Sequence, residues 1–199
     1  MKKVIIFVIL IVLVVGAALI FDKGKLMKKS NKEGGEIPHQ NIGGGPVREP
    51  AVAGAFYPGE AVALSATVDE YLSKAEIPAV GKYVRALVVP HAGYIYSGWV
   101  AAYGYKTLIN QDIKRVILIG NSHRDYFDGA SVYPEGYYKT PLGNVEIDAD
   151  FVKKLMAKND KISYHETADS EEHSLEVQLP FLQRVLPVSG WKIVPIIIG

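Results

Sequence analysis

The chain has 199 residues, 49% of them apolar and 22% charged, with a formal net charge of +1. That balance suits one folded domain with an appendage, and it gives no electrostatic case for a nucleic-acid partner, which needs a clustered basic face. Cysteine is absent, so disulfides, thiolate metal sites and cysteine nucleophiles are excluded within these residues.

The first segment in chain order departs from a globular pattern. Val4 to Phe21 is a run of 18 residues without a charge. As a helix it would span roughly 27 Å, close to the hydrocarbon thickness of a bilayer. A cleavable signal peptide has a shorter apolar region and ends in an A-x-A-like site. Here Ala17-Ala18 runs on through Leu19-Ile20-Phe21 into charge. The expectation is a single-pass N-terminal transmembrane anchor over residues 1–21 and localisation to a membrane. The lysines on its two flanks favour the cytoplasmic side only weakly and do not fix the orientation. Residues 22–47 contain Gly34-Gly35 and Gly43-Gly44-Gly45 and read as a flexible linker, in which His39 is a solvated residue.

The folded domain is expected over 48–199. Residues 60–74 predict a helix with Leu64, Val68, Tyr71 and Leu72 on one face. Arg85 to Pro90 is a short apolar run that suits a buried strand. Residues 98–109 predict a helix capped by Ser97, with Val100, Tyr103 and Leu108 inward. Arg115 to Gly120 is a second buried strand. Residues 131–146 suit a hairpin or edge strands. Asp148 caps a helix to about Lys158, with Phe151, Val152, Leu155 and Met156 inward. Residues 173–186 predict a helix that Pro180 kinks or restarts. Lys192 to Gly199 is a third buried strand. Strands separated by helices imply parallel pairing, so the expected class is α/β, a mostly parallel central sheet with helices on both faces.

In open sheets of that kind ligands bind beyond the carboxyl ends of the strands. His91 directly follows strand 85–90, and His123 lies just past strand 115–120. If the strands are neighbours, both imidazoles can reach one metal ion. His173 opens the helix 173–186, where the free N–H groups suit an anion and keep a histidine neutral, fit to serve as a base. Each histidine alone can be an ordinary turn or surface residue; three at such positions point to a shared site. His165 reads as a surface residue. Asp169, Glu171 and Glu172 read as a solvated acidic helix start or as metal ligands. Tyr94 either lines a pocket or packs its turn.

Several blocks resemble the Memo family. They are Arg48-Glu-Pro-Ala-Val-Ala-Gly-Ala-Phe-Tyr-Pro58, Val89-Pro-His-Ala-Gly-Tyr-Ile-Tyr-Ser-Gly98, Ile119-Gly-Asn-Ser-His123, Thr140-Pro-Leu-Gly143 and Glu172-His-Ser-Leu-Glu-Val-Gln-Leu-Pro-Phe-Leu182. Where Asn121 stands the family usually has proline. The resemblance implies a fold similar to class III extradiol dioxygenases. It implies that His91 and His123 match the two metal-binding histidines and that His173 matches an acid/base histidine; Tyr94, Ser122 and Glu172 are expected to line the pocket. It implies iron or copper as cofactor and a redox activity, with a small-molecule or phosphopeptide ligand. The alternative is a non-catalytic module that binds a phosphopeptide or anion in the same cleft. The family's third metal ligand comes from a later segment, so a chain ending at Gly199 is expected to be truncated.

Overall fold

The structure, a computed structural model, describes residues 44–77 and 83–199. Among them run seven strands: β1 (Val47–Arg48), β2 (Arg115–Asn121), β3 (Ala130–Val132), β4 (Tyr137–Thr140), β5 (Gly143–Glu146), β6 (Ile162–Ser163) and β7 (Lys192–Ile198). Five α-helices accompany them: α1 (Ala61–Lys74), α2 (Tyr94–Lys106), α3 (Ala149–Met156), α4 (Glu166–Ser170) and α5 (Leu179–Val185), the last preceded by a 3-10 turn at Glu176–Gln178.

The α/β class holds, but the single, mostly parallel sheet does not form. Among the described residues there are two sheets, a three-stranded one in the order β1-β4-β5 and a four-stranded one in the order β2-β7-β3-β6. β2 and β7 pair parallel over their whole length, Arg115 with Lys192 through to Asn121 with Ile198. β3 pairs antiparallel with β7. The reason is the link 122–129, which is shorter than the dozen or so residues a parallel crossover needs.

Among the described residues no helix is long and apolar enough to cross a membrane. The transmembrane helix, the membrane attachment and the membrane localisation expected from the sequence are therefore not supported. The segment 1–21 that carried them lies outside the described residues, as do most of the expected linker and His39.

A second correction concerns residues 85–90, which form no strand. They run beside the free edge of β2, with Leu87 and Val89 packed against the core and a cavity between the two backbones. The α2 helix also turns a different face inward from the one expected. Its small residues Ser97, Gly98, Ala101 and Ala102 are buried with Tyr94 and Tyr105, while Ile95, Tyr96 and Trp99 stay exposed. Close approach explains this: a Cβ on Gly98 would sit 2.8 Å from the Tyr71 ring of α1.

β2, expected to be buried, leaves Ile117 and Ile119 exposed at 49% and 68%; α1, α3 and the restart at Pro180 follow the sequence. α1 buries Leu64, Val68 and Leu72 on the predicted face. The Asp148 carboxylate accepts from the Phe151 N–H at 3.1 Å and caps α3, worth about 1 kcal/mol. Pro180 stands in the first turn of α5, where its missing N–H costs nothing, so the chain turns as 3-10 and restarts as α-helix. The core joins α1, α2 and α5 to β7 through Leu64, Val68, Ala102, Leu179, Phe181, Leu182 and Ile193, all at most 1% exposed.

Candidate metal centre

Three loops deliver the histidines. His91 ends the irregular stretch 85–91, His123 lies just past β2, and His173 sits in the turn before the 3-10 turn. Their rings converge. Centroids lie 5.2 Å apart for His91 and His123, 5.8 Å for His91 and His173, and 4.4 Å for His123 and His173, the last pair stacked. One nitrogen from each ring lies within 4.8 Å of the other two. Nitrogens sharing a tetrahedral ion stand roughly 3.4 Å apart, so modest ring rotation brings these donors into range. His91 and His173 are half-buried and His123 is more open, which leaves the rings room to turn.

The chemistry of the donors fits a metal. Burial lowers the tendency of His91 to protonate, and the neighbouring His123 adds to this. Burial does the same for His173, opposed by Glu172 and reinforced by His123 and His91. Neutral imidazoles offer lone pairs to iron, copper or zinc.

Glu172 organises the loops. Its carboxylate is 1% exposed. Oε2 accepts from the His123 N–H at 2.6 Å, and Oε1 accepts from His123 Nδ1 at 2.8 Å and from the N–H groups of His173 and Ser174 at 2.8 Å each. Burial alone would raise its pKa, but these donors overcome it and hold the carboxyl at about 2. An ionised carboxylate only accepts, so His123 Nδ1 carries a proton, while Nε2 lies 3.1 Å from Asn121 Nδ2. Such carboxylate–histidine pairs fix ring orientation at metal sites.

Behind Glu172 lies a second polar cluster. Arg48 is buried and donates to the carbonyls of Asp169 (2.9 Å) and Glu172 (2.5 Å) and to the Glu176 carboxylate (2.7 Å). Glu176, fully buried, also accepts from Tyr57 Oη at 2.7 Å and from the N–H groups of Ala51 and Val52. Asp169 pairs with Arg48 and accepts from Tyr138 Oη. Gln178 Nε2 donates to the Pro90 carbonyl at 3.3 Å, which ties the residue before His91 to the same turn. Gly120 lets that turn pack on β2, because a Cβ there would meet Ser174 Oγ at 2.5 Å.

The remaining predicted residues lie as follows. Tyr94 is in the core, 2% exposed, with its hydroxyl donating to the Val177 carbonyl at 2.8 Å. Ser122 Oγ accepts from the Asp125 N–H at 3.1 Å and shapes the loop that carries His123. His165 is half-buried, stacked on Phe127 and 2.9 Å from Ser163 Oγ, away from the triad. His173 precedes the helical turn rather than opening a helix, and Glu172 already takes the N–H groups expected to be free. Arg48, Glu176 and Gln178 had no role in the sequence reading; a charged or amide side chain inside an apolar run, as in Glu176-Val-Gln178, is the signal that could have found them. A cavity of about 620 Å³ opens beside His91, walled by Val84 to Val89, β2, Tyr105 and Gln178.

Fold and site together define a mixed α/β domain with a histidine cluster supported from within by a buried carboxylate. Residues 48–199 match the Memo-like protein family, and the chain belongs to that family. It is 40% identical over 156 residues to a MEMO1 family protein of Thermoplasma volcanium, covering 77% of this chain and 56% of the relative. To a MEMO1 family protein of Methanothermobacter thermautotrophicus it is 37% identical over 158 residues, covering 73% and 57%. A MEMO1 family protein of Methanococcus maripaludis is 43% identical over 161 residues, covering 75% and 56%. The chain thus spans little more than half the length of these relatives.

Proposed function

We propose that His91 and His123 hold a redox-active metal ion, iron or copper, and that His173 handles protons beside it. The observation that carries this reading is the convergence of one nitrogen from each of the three rings to within 4.8 Å. When bound, the ion would supply a Lewis acid able to change its oxidation state. The chain's own residues do the rest. Glu172 holds His123 in the tautomer whose Nε2 faces the site. Gln178 and Arg48 hold the backbones that carry His91 and His173. Burial keeps His173 neutral, so it can accept a proton from a small molecule bound in the neighbouring cavity. The phosphopeptide or anion-binding reading is not favoured, because the N–H groups it needs are already occupied by Glu172.

The test is uptake of iron(II) and copper(II) by the wild-type chain and by His91→Ala, His123→Ala and His173→Ala. The first two variants are expected to lose binding at least tenfold, as loss of a ligand does, and the third to keep it within a few-fold. Equal loss in all three would make His173 a ligand instead of a base. No uptake by the wild type would end the reading.

A further inference from the structure

We propose that the Asn121 side-chain amide is an intramolecular competitor at this site, occupying the lone pair of His123 that an ion would take. The inference rests on the metal-binding reading. It starts from the contact of Asn121 Nδ2 with His123 Nε2 at 3.1 Å. Glu172 fixes which partner donates. Its carboxylate at 2.8 Å from Nδ1 can only accept, so Nδ1 bears a proton, and Asn121 Nδ2 can only donate. Nε2 is then an acceptor and the amide N–H its donor. The three groups form one directed chain, from Asn121 through His123 to Glu172.

The backbone of Asn121 cannot move aside. It is the last residue of β2, in register with Ile198, and its carbonyl accepts from Ser174 Oγ at 3.1 Å. Its side chain is exposed and can swing away. An arriving ion must break one hydrogen bond between neutral partners. Such a bond is worth little, so the amide weakens binding by about two- to tenfold without blocking it. The same bond is broken whichever ion arrives. The penalty is therefore shared by all imidazole-seeking ions and does not reorder them.

The experiment titrates copper(II) and, separately, zinc(II) into the full chain and into Asn121→Ala, with Asn121→Ser as a second variant. Nitrogen NMR of the histidine rings is recorded without metal. The expected result is a gain in affinity of about two- to tenfold for both ions, by a similar factor. In the metal-free variants the His123 Nε2 signal should move while Nδ1 keeps its proton. Unchanged affinity would overturn the competitor role and leave metal binding standing. Weaker binding in the variants would also overturn it, by making Asn121 an oxygen ligand. If neither the wild type nor a variant binds an ion, the metal reading fails and the competitor role falls with it. The NMR shift would then still report the hydrogen bond on its own.

Discussion

Two polar clusters meet at Glu172, and they are built to opposite rules. On the inner side Arg48, Glu176 and Asp169 are charged, at most 6% exposed, and bonded to one another, to Tyr57 and Tyr138, and to backbone N–H and carbonyl groups. On the outer side three histidines are only partly buried, and one nitrogen from each lies within 4.8 Å of the other two. Within such a buried cluster, removing one partner strands the other as an uncompensated charge. Open lone pairs in a half-buried cluster add little to stability and are available to a ligand. Glu172 belongs to both regions, its carbonyl gripped by Arg48 and its carboxylate gripping His123.

The largest expected effect comes from breaking the inner side. Arg48→Met strands Glu176 and should cost about 3–5 kcal/mol in denaturant unfolding, enough to unfold a marginal domain. Glu176→Gln should cost a similar amount, and a loss below about 1 kcal/mol in either would show that the inner cluster does not hold the fold. Glu172→Gln comes next because it touches both sides. It should lower stability by about 1–3 kcal/mol and weaken metal binding by about ten- to a hundredfold. If only one of those readouts moved, Glu172 would not join the two regions. The outer side should behave differently. His91→Ala should leave the unfolding midpoint nearly unchanged, within about 0.5 kcal/mol, while weakening metal uptake at least tenfold. The smallest effect is expected at the surface. The exposed Arg184–Asp69 pair, 2.7 Å long, should give less than about 1 kcal/mol on Arg184→Ala.

The comparison also has a pH form. The Glu172 carboxyl is held at about 2 against an ordinary value of 4.5. A depressed acid stabilises the fold above its unfolded pKa, and that contribution is lost as pH falls through the folded one. Acid titration of the wild type should therefore lose stability between about pH 4.5 and 2, and Glu172→Gln should lose less over the same window. Identical acid profiles would show that the carboxylate is not the group responsible.

Much of the site was legible in the sequence because it rests on strand ends. β2 and β7 are continuous apolar runs, and such runs pair in parallel, so His123 was placed correctly at a sheet edge. His91 reached the same space without a strand behind it, because packing of Leu87 and Val89 and the Gln178 bond to Pro90 do what a ladder was expected to do. The wrong face of α2 has a plain cause. Periodicity counts Val100 and Tyr103 as apolar, but close packing against α1 selects Gly98, Ala101 and Ala102. The inner cluster was hidden because its pairs join residues more than a hundred positions apart, Arg48 to Asp169 and Glu176. No local pattern encodes such a contact.

X-ray absorption at the metal edge of the iron- or copper-loaded chain tests most directly whether the rings converge on one ion. A third ring would move His173 into the ligand set and leave the convergence intact. The account predicts that at least two imidazoles coordinate the metal in the wild type, one fewer in His91→Ala. A spectrum fitted by a single ring or none would contradict it.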